Sequence, residues 1–202
     1  MIPNCVNVQE YAAFDKEIEP DTLIFTGSFG FEPNYEAMLW FLSDVYPIVQ
    51  AEVPTIHLTI TGDHLNKPLP QRSGTKLTSF VPDVRPYIAR SMLSIAPIQT
   101  GGGTRLKILE AMALRTPVIS TSKGAEGIDV ENGKDILIAD TPMEFAKAIV
   151  ELAKTPELRV SIADNAYNLV KDKYDWGKVL PKFMELVDRT VLGDPSVPID
   201  HQ

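Results

Sequence analysis

The sequence predicts an α/β fold: a parallel β-sheet with helices on both faces. Three observations carry that expectation. Short apolar runs recur along the chain, at residues 22–26 (TLIFT), 57–61 (HLTIT), 93–97 (LSIAP) and 135–139 (DILIA), the pattern of strands buried on both faces. Segments with apolar residues at helical spacing lie between them, and such alternation folds as βα units around a parallel sheet. A three-glycine loop, Gly101, Gly102 and Gly103, joins one strand to the helix after it, and ligands bind these sheets beyond the carboxyl ends of the strands.

The chain's 202 residues suffice for one such domain. The expected organisation is an interdomain linker and lead-in over 1–20, the sheet domain over 21–175, a final helix over 176–192 and a frayed tail over 193–202. The strand at 22–26 stops at Gly27, and Pro33 suits the first turn of the next helix. Met38, Phe41, Leu42, Val45, Ile48 and Val49 keep helical spacing, with Pro47 expected to kink or end the regular part. The strand at 57–61 stops at Gly62 and Asp63, and a polar, Pro-containing loop follows over 65–74. His57 and His64 read as surface or strand-end residues, since neither has a sequence neighbour to orient an imidazole.

A short edge-like strand is expected at 76–79, after which Asp83 caps a helix containing Val84, Tyr87, Ile88 and Ser91. A further strand begins at Pro117, and 121–127 reads as a polar loop whose Glu126 is either a solvated carboxylate or a group that reaches the site. Helices follow over 142–154, amphipathic through Phe145, Ile149 and Leu152, and over 156–173, through Leu158, Ile162, Ala166 and Leu169. Asp175 and Trp176 begin the last helix, whose apolar stripe Val179, Phe183, Leu186, Val187 and Val191 is expected to be partly exposed or covered by a partner.

The stretch 101–121, GGGTRLKILEAMALRTPVIST, concentrates the unusual chemistry. Glycines let the backbone approach a ligand with no Cβ in the way. The helix after them aims unpaired N–H groups into the loop, which suits phosphate. Arg105 and Lys107 stand in its first turn, where each cation opposes the helix dipole by a few tenths to about 1 kcal/mol; an anion between them reverses that sign. Glu110 shares an arc with Leu106, Leu109, Ala113 and Leu114, so a carboxylate interrupts an apolar face and needs a partner, which sugar hydroxyls can supply. Each feature alone also suits a surface loop with solvated cations and an edge carboxylate. Together, at this spacing, they favour a phosphate and sugar site.

The same stretch resembles the donor-binding half of the retaining GT-B glycosyltransferases of group 1 (family 4), in the subset whose loop reads GGGTRLKxLEAMA followed by PVIST. The likeness extends to FTGSFGFEPN at 25–34, LTITGD at 58–63, FVPDVRPYIARS at 80–91, GAEGIDV at 124–130 and KYDW at 173–176. Residues 2–7, IPNCVN, resemble the IPNGVD that leads out of the first domain in these enzymes, with Cys5 in place of the glycine. The resemblance implies a Rossmann-like domain, one half of a GT-B fold. It implies a nucleotide-diphosphate sugar as substrate, no cofactor and no metal, and a missing N-terminal domain that holds the acceptor.

By the same resemblance Glu110 contacts the ribose, and the nucleotide base lies near Phe80 and Val81; on the residues alone, Phe80 reads equally as core. The family's common arginine and lysine after the first strand are absent, the loop being Ser28, Phe29, Gly30 and Phe31. Arg105 and Lys107 are expected to stabilise the diphosphate instead, with the Gly27 and Ser28 amides as donors. The commonest motif also carries a sugar-facing glutamate with seven residues between it and the ribose glutamate, and that position here is Gly102. Backbone amides of Gly102, Gly103 and Thr104 are expected to meet the sugar. Gly62, Gly101 and Leu109 complete the expected substrate-binding set.

Composition limits the alternatives. A net charge of −8 opposes nucleic acid or an anionic membrane as the main partner. One cysteine precludes an internal disulfide and fits a reducing, cytoplasmic setting. No run approaches the roughly 20 apolar residues of a membrane span, so no transmembrane segment is expected. A sugar-nucleotide epimerase half and a non-catalytic nucleotide-sugar-binding module remain as alternative readings.

Overall fold

The computed structural model describes residues 2–11, 14 and 17–191. The expected tail over 193–202, and Leu192 before it, lie outside the described residues. Strands β1 (Glu19–Thr26), β2 (His57–Thr61), β3 (Thr75–Leu77), β4 (Ser91–Ala96), β5 (Val118–Ser120) and β6 (Leu137–Ile138) form one parallel sheet in the order β3-β2-β1-β4-β5-β6. The chain steps outward from β1 to β3, then returns to lay β4 beside β1, with Ile24 opposite Ser94. That reversal opens a crevice at the carboxyl ends of β1 and β4, where doubly wound sheets take ligands.

Nine helices accompany the sheet among the described residues: α1 (Val8–Tyr11), α2 (Glu32–Trp40), α3 (Tyr46–Glu52), α4 (Arg85–Arg90), α5 (Leu106–Ala113), α6 (Ser122–Ala125), α7 (Pro142–Lys154), α8 (Pro156–Leu169) and α9 (Trp176–Val191). Strand side chains alternate between two cores. Leu23, Phe25, Leu58, Ile60, Leu93 and Ile95 pack with Phe41, Val49, Phe145 and Ile149 on one face. Ile24, Ala96 and Val118 pack with Ile88, Ile108, Met112, Ala166 and Val170 on the other. Both faces are covered, which is why β1 and β4 read as continuous apolar runs; each such large side chain contributes about 1.5 to 3 kcal/mol.

Several elements differ from the sequence expectation. Pro47 does not end its helix. The chain runs through a π turn at Phe41–Val45 and continues as α3, with Pro47 in its first turn. The Tyr46 N–H bonds to the Phe41 carbonyl, so the Leu42 carbonyl is left facing a proline that has no N–H to give. Arg72 Nε, from the 65–74 loop, donates to that carbonyl at 2.9 Å. A second π turn, Val170–Tyr174, closes α8. Ser91 opens β4 instead of closing α4, β3 lies one to two residues earlier than expected, and β1 begins inside the expected lead-in. Asp83 precedes the cap position and accepts the Arg85 N–H at 2.9 Å. The expected loop over 121–127 contains α6, capped by Thr121. His64 is buried against Phe29, their rings 5.0 Å apart, and burial pulls its pKa below the ordinary value.

The lead-in is fastened to the other end of the domain. Val6 donates to the Tyr174 carbonyl at 2.9 Å and accepts from the Trp176 N–H at 3.0 Å, while Asp175 Oδ1 accepts the Val8 N–H at 2.9 Å. In α9, Val179 is buried, but Phe183 and Leu186 are 44% and 42% exposed. Val187 is half-buried, and the side chain of Val191 lies outside the described residues.

Candidate functional site

A cavity of about 470 Å³ fills the crevice between the loops after β1 and β4, lined by Thr26, Gly27, Phe31, Asn34, Val84, Ile98, Gly102, Gly103, Thr104, Arg105, Leu106, Lys107, Glu110 and Gly124. A second cleft, of about 390 Å³, lies at the amino ends of β1 and β4 between Glu19, Tyr87, Arg90 and Ser91. Its lining holds no glycine, and the helix turn that borders it contributes Pro86, which has no N–H to give. The carboxyl-end cavity is therefore the candidate site.

Its floor is built by close backbone approach. A Cβ on Gly62 would stand 2.5 Å from the Gly27 carbonyl oxygen, so Gly62 supports the first loop from beneath and does not line the cavity. Gly101 has φ +77° and packs on Pro33, where a Cβ would come within 2.6 Å of the ring. This left-handed turn starts the glycine loop, and L side chains avoid it. Gly102, Gly103 and Thr104 are exposed along the cavity wall. Asn4 donates to the Thr104 carbonyl at 3.0 Å, so the lead-in steadies the loop from its far side.

Arg105 and Lys107 converge on the cavity by different means. Arg105 adopts a left-handed φ of +55° at the N-cap of α5. Glu126 holds one edge of its guanidinium, with the carbonyl oxygen accepting from Nε and Oε2 from Nη2, both at 3.2 Å. Glu126 therefore is not merely solvated; it pairs with Arg105 and, at 2.6 Å, with Lys123. Lys107 places its ammonium 4.1 Å from the centroid of the Phe25 ring and donates to Asn34 Oδ1 at 2.8 Å. Burial, with the Arg105 charge second, pulls the Lys107 pKa down to about 7. Asn34 in turn donates to the Ser28 carbonyl at 2.8 Å, so one amide couples the first loop to the α5 cation.

Glu110 is half-buried, and its Oε1 accepts from the Tyr11 hydroxyl at 3.2 Å. Burial pushes its carboxyl pKa up, against the opposing pull of Tyr11, Arg85 and Lys107. Ser28 is exposed, with Oγ accepting the Gly30 N–H at 3.1 Å. Phe80 is 75% exposed, which removes the core reading for it; neither Phe80 nor the half-buried Val81 borders the cavity. The Leu109 side chain points into the core and is 1% exposed. Sequence reasoning missed Asn34 and Tyr11. The first lay inside FTGSFGFEPN without an assigned role, and the second lay in a stretch read as linker.

Residues 20–155 match the family described as glycosyl transferases group 1. The chain belongs to that family. An uncharacterized 44.6 kDa protein in the cps region of Klebsiella pneumoniae is 28% identical over 190 residues, covering 88% of this chain and 49% of that protein. Among solved structures, HepE of Anabaena in complex with UDP and glucose superposes with a TM-score of 0.75 at 16% identity, over 93% of this chain and 56% of that one. The C-terminal domain of the group 1 family protein LpcC from Francisella tularensis gives a TM-score of 0.64 at 19% identity, over 85% of this chain and 99% of that domain. The chain thus spans about half the length of the first curated relative it matches. Among the described residues of this group 1 domain, no helix is long and apolar enough to cross a membrane.

Proposed function

We propose that this domain binds the nucleotide-diphosphate sugar of a retaining glycosyl transfer whose acceptor is held by a separate N-terminal domain. The observation that carries the reading is the convergence of Arg105, Lys107 and the N-terminus of α5 on one cavity at the sheet's switch point. A diphosphate there would meet two cations and unpaired helix N–H groups without a metal. As the glycosidic bond breaks, charge builds on the leaving diphosphate, and preorganised cations lower that barrier. Glu110 takes the ribose hydroxyls, and the glycine loop and Thr104 meet the sugar; Phe80 and Val81, which do not border the cavity, reach the base only if the nucleotide extends beyond it. UDP is the first nucleotide to try, since the HepE structure holds UDP and glucose.

A thermal-shift series with UDP, GDP, ADP and their glucose conjugates tests the reading, because saturation at 100 times Kd adds about 2.7 kcal/mol of stability. Arg105→Ala and Lys107→Ala are each expected to weaken the preferred diphosphate by roughly 1.5 to 3 kcal/mol and to leave nucleoside binding nearly unchanged. Equal losses for nucleoside and diphosphate would remove the phosphate assignment.

A further inference from the structure

Tyr11 reaches the site from outside the sheet domain. Its short helix is held by Asp175 at the Val8 N–H, and the segment before it by the Asn4 bond to the Thr104 carbonyl. The Arg85 guanidinium lies 5.7 Å from the centroid of the Tyr11 ring and 5.0 Å from that of Phe14. Asp83 fixes that guanidinium from its other side through two contacts of 2.9 Å. The ring is therefore held in place, and its one hydroxyl proton goes to Glu110 Oε1 at 3.2 Å. A carboxylate gripped at one oxygen cannot turn freely. Oε2, and the remaining lone pair of Oε1, then face a ligand in one orientation.

We infer that Tyr11 is a positioning residue for donor recognition: by fixing the plane of the Glu110 carboxylate, it makes preference for a ribose diol depend on the lead-in segment. The inference rests on reading Glu110 as the ribose ligand. The groups facing this carboxylate are Tyr11 from α1, Arg85 and Asp83 at the start of α4, and Lys107 one turn earlier on α5. The phenol proton favours the ionised form, so its loss leaves Glu110 titrating at higher pH.

The test uses the full 202-residue chain and the Tyr11→Phe and Glu110→Gln variants. Each is titrated calorimetrically with UDP, GDP, ADP and their 2′,3′-dideoxy forms, and the Glu110 carboxyl is followed by carbon NMR against pH. Tyr11→Phe is expected to weaken the preferred ribonucleotide about three- to tenfold and to leave the dideoxy form unchanged. It should also raise the Glu110 midpoint. An unchanged midpoint and unchanged ribonucleotide affinity overturn the inference, and if Glu110→Gln still separates the two sugars, the ribose reading survives that failure. Equal weakening of both sugars by Tyr11→Phe, with a lowered melting temperature, makes Tyr11 a structural brace and also overturns it. If Glu110→Gln weakens both sugars alike, or the unmodified chain binds no diphosphate, the ribose reading itself falls and the inference with it.

Discussion

Lys107 occupies an environment that favours its neutral form. Burial and the nearby Arg105 charge hold its pKa at about 7 against an ordinary 10.5, with the Glu110 carboxylate opposing part of that shift. Between those two values the unfolded chain binds the proton that the folded chain lacks, so this group makes stability rise with pH across that window. Its penalty is fully present below about pH 7. A diphosphate beside the ammonium restores the proton. Binding at pH 8 is therefore expected to take up close to one proton, measured by calorimetry in buffers of differing ionisation enthalpy, and affinity should fall as pH rises above the Lys107 pKa. Proton-neutral binding would mean that the diphosphate does not reach Lys107. The same reasoning predicts that Lys107→Met stabilises the protein without ligand at neutral pH by about 1 kcal/mol while weakening the diphosphate as Lys107→Ala does. Both cations could be placed from their position after three glycines, since a helix start is a local signal. Their fixing partners could not. Asn34 lies 73 residues from Lys107, and Tyr11 lies 99 from Glu110, and no local pattern marks such pairs.

At the scale of elements, β2 and α7 coincide with the stretches read from the sequence at 57–61 and 142–154, because period and boundary agree there. In α7 the capping box of Thr141 and Glu144 and the following Pro142 mark the start unambiguously. The π turn before α3 was not legible, because a proline in a helical run ordinarily signals a break and the rescue comes from another segment. Arg72 supplies the hydrogen bond that Pro47 cannot. Arg72→Ala is accordingly expected to destabilise the domain by about 1 to 3 kcal/mol, the cost of a part-buried carbonyl left unpaired. In a π turn the N–H five residues on would meet the Leu42 carbonyl, so Pro47→Ala provides a substitute donor. The loss from Arg72→Ala should therefore shrink in the Pro47→Ala background. Denaturant unfolding of the four proteins measures this, and additive losses would show that the Arg72 contact does not compensate for the proline.

For the whole molecule, the lead-in and the start of α9 are closed into one unit by the Val6 and Asp175 contacts, yet the outer part of α9 leaves its apolar side uncovered. Leu180, Phe183, Met184 and Leu186 are each more than 40% exposed along that helix, while Val179 alone of these neighbours is 3% exposed. Scattered apolar residues on a surface need no explanation, but a continuous stripe on one helix favours contact with another apolar surface. In isolation the chain is expected to self-associate as its concentration rises, read by light scattering on a sizing column. Phe183→Lys with Leu186→Lys should give a monomer with its melting temperature unchanged, since exposed side chains contribute little to folding. Val179→Ala should do the opposite, destabilising by about 1 to 2 kcal/mol while leaving association intact. A chain that stays monomeric at every concentration, and melts lower when Phe183 and Leu186 are replaced, would mean that the α9 stripe is covered by its own domain.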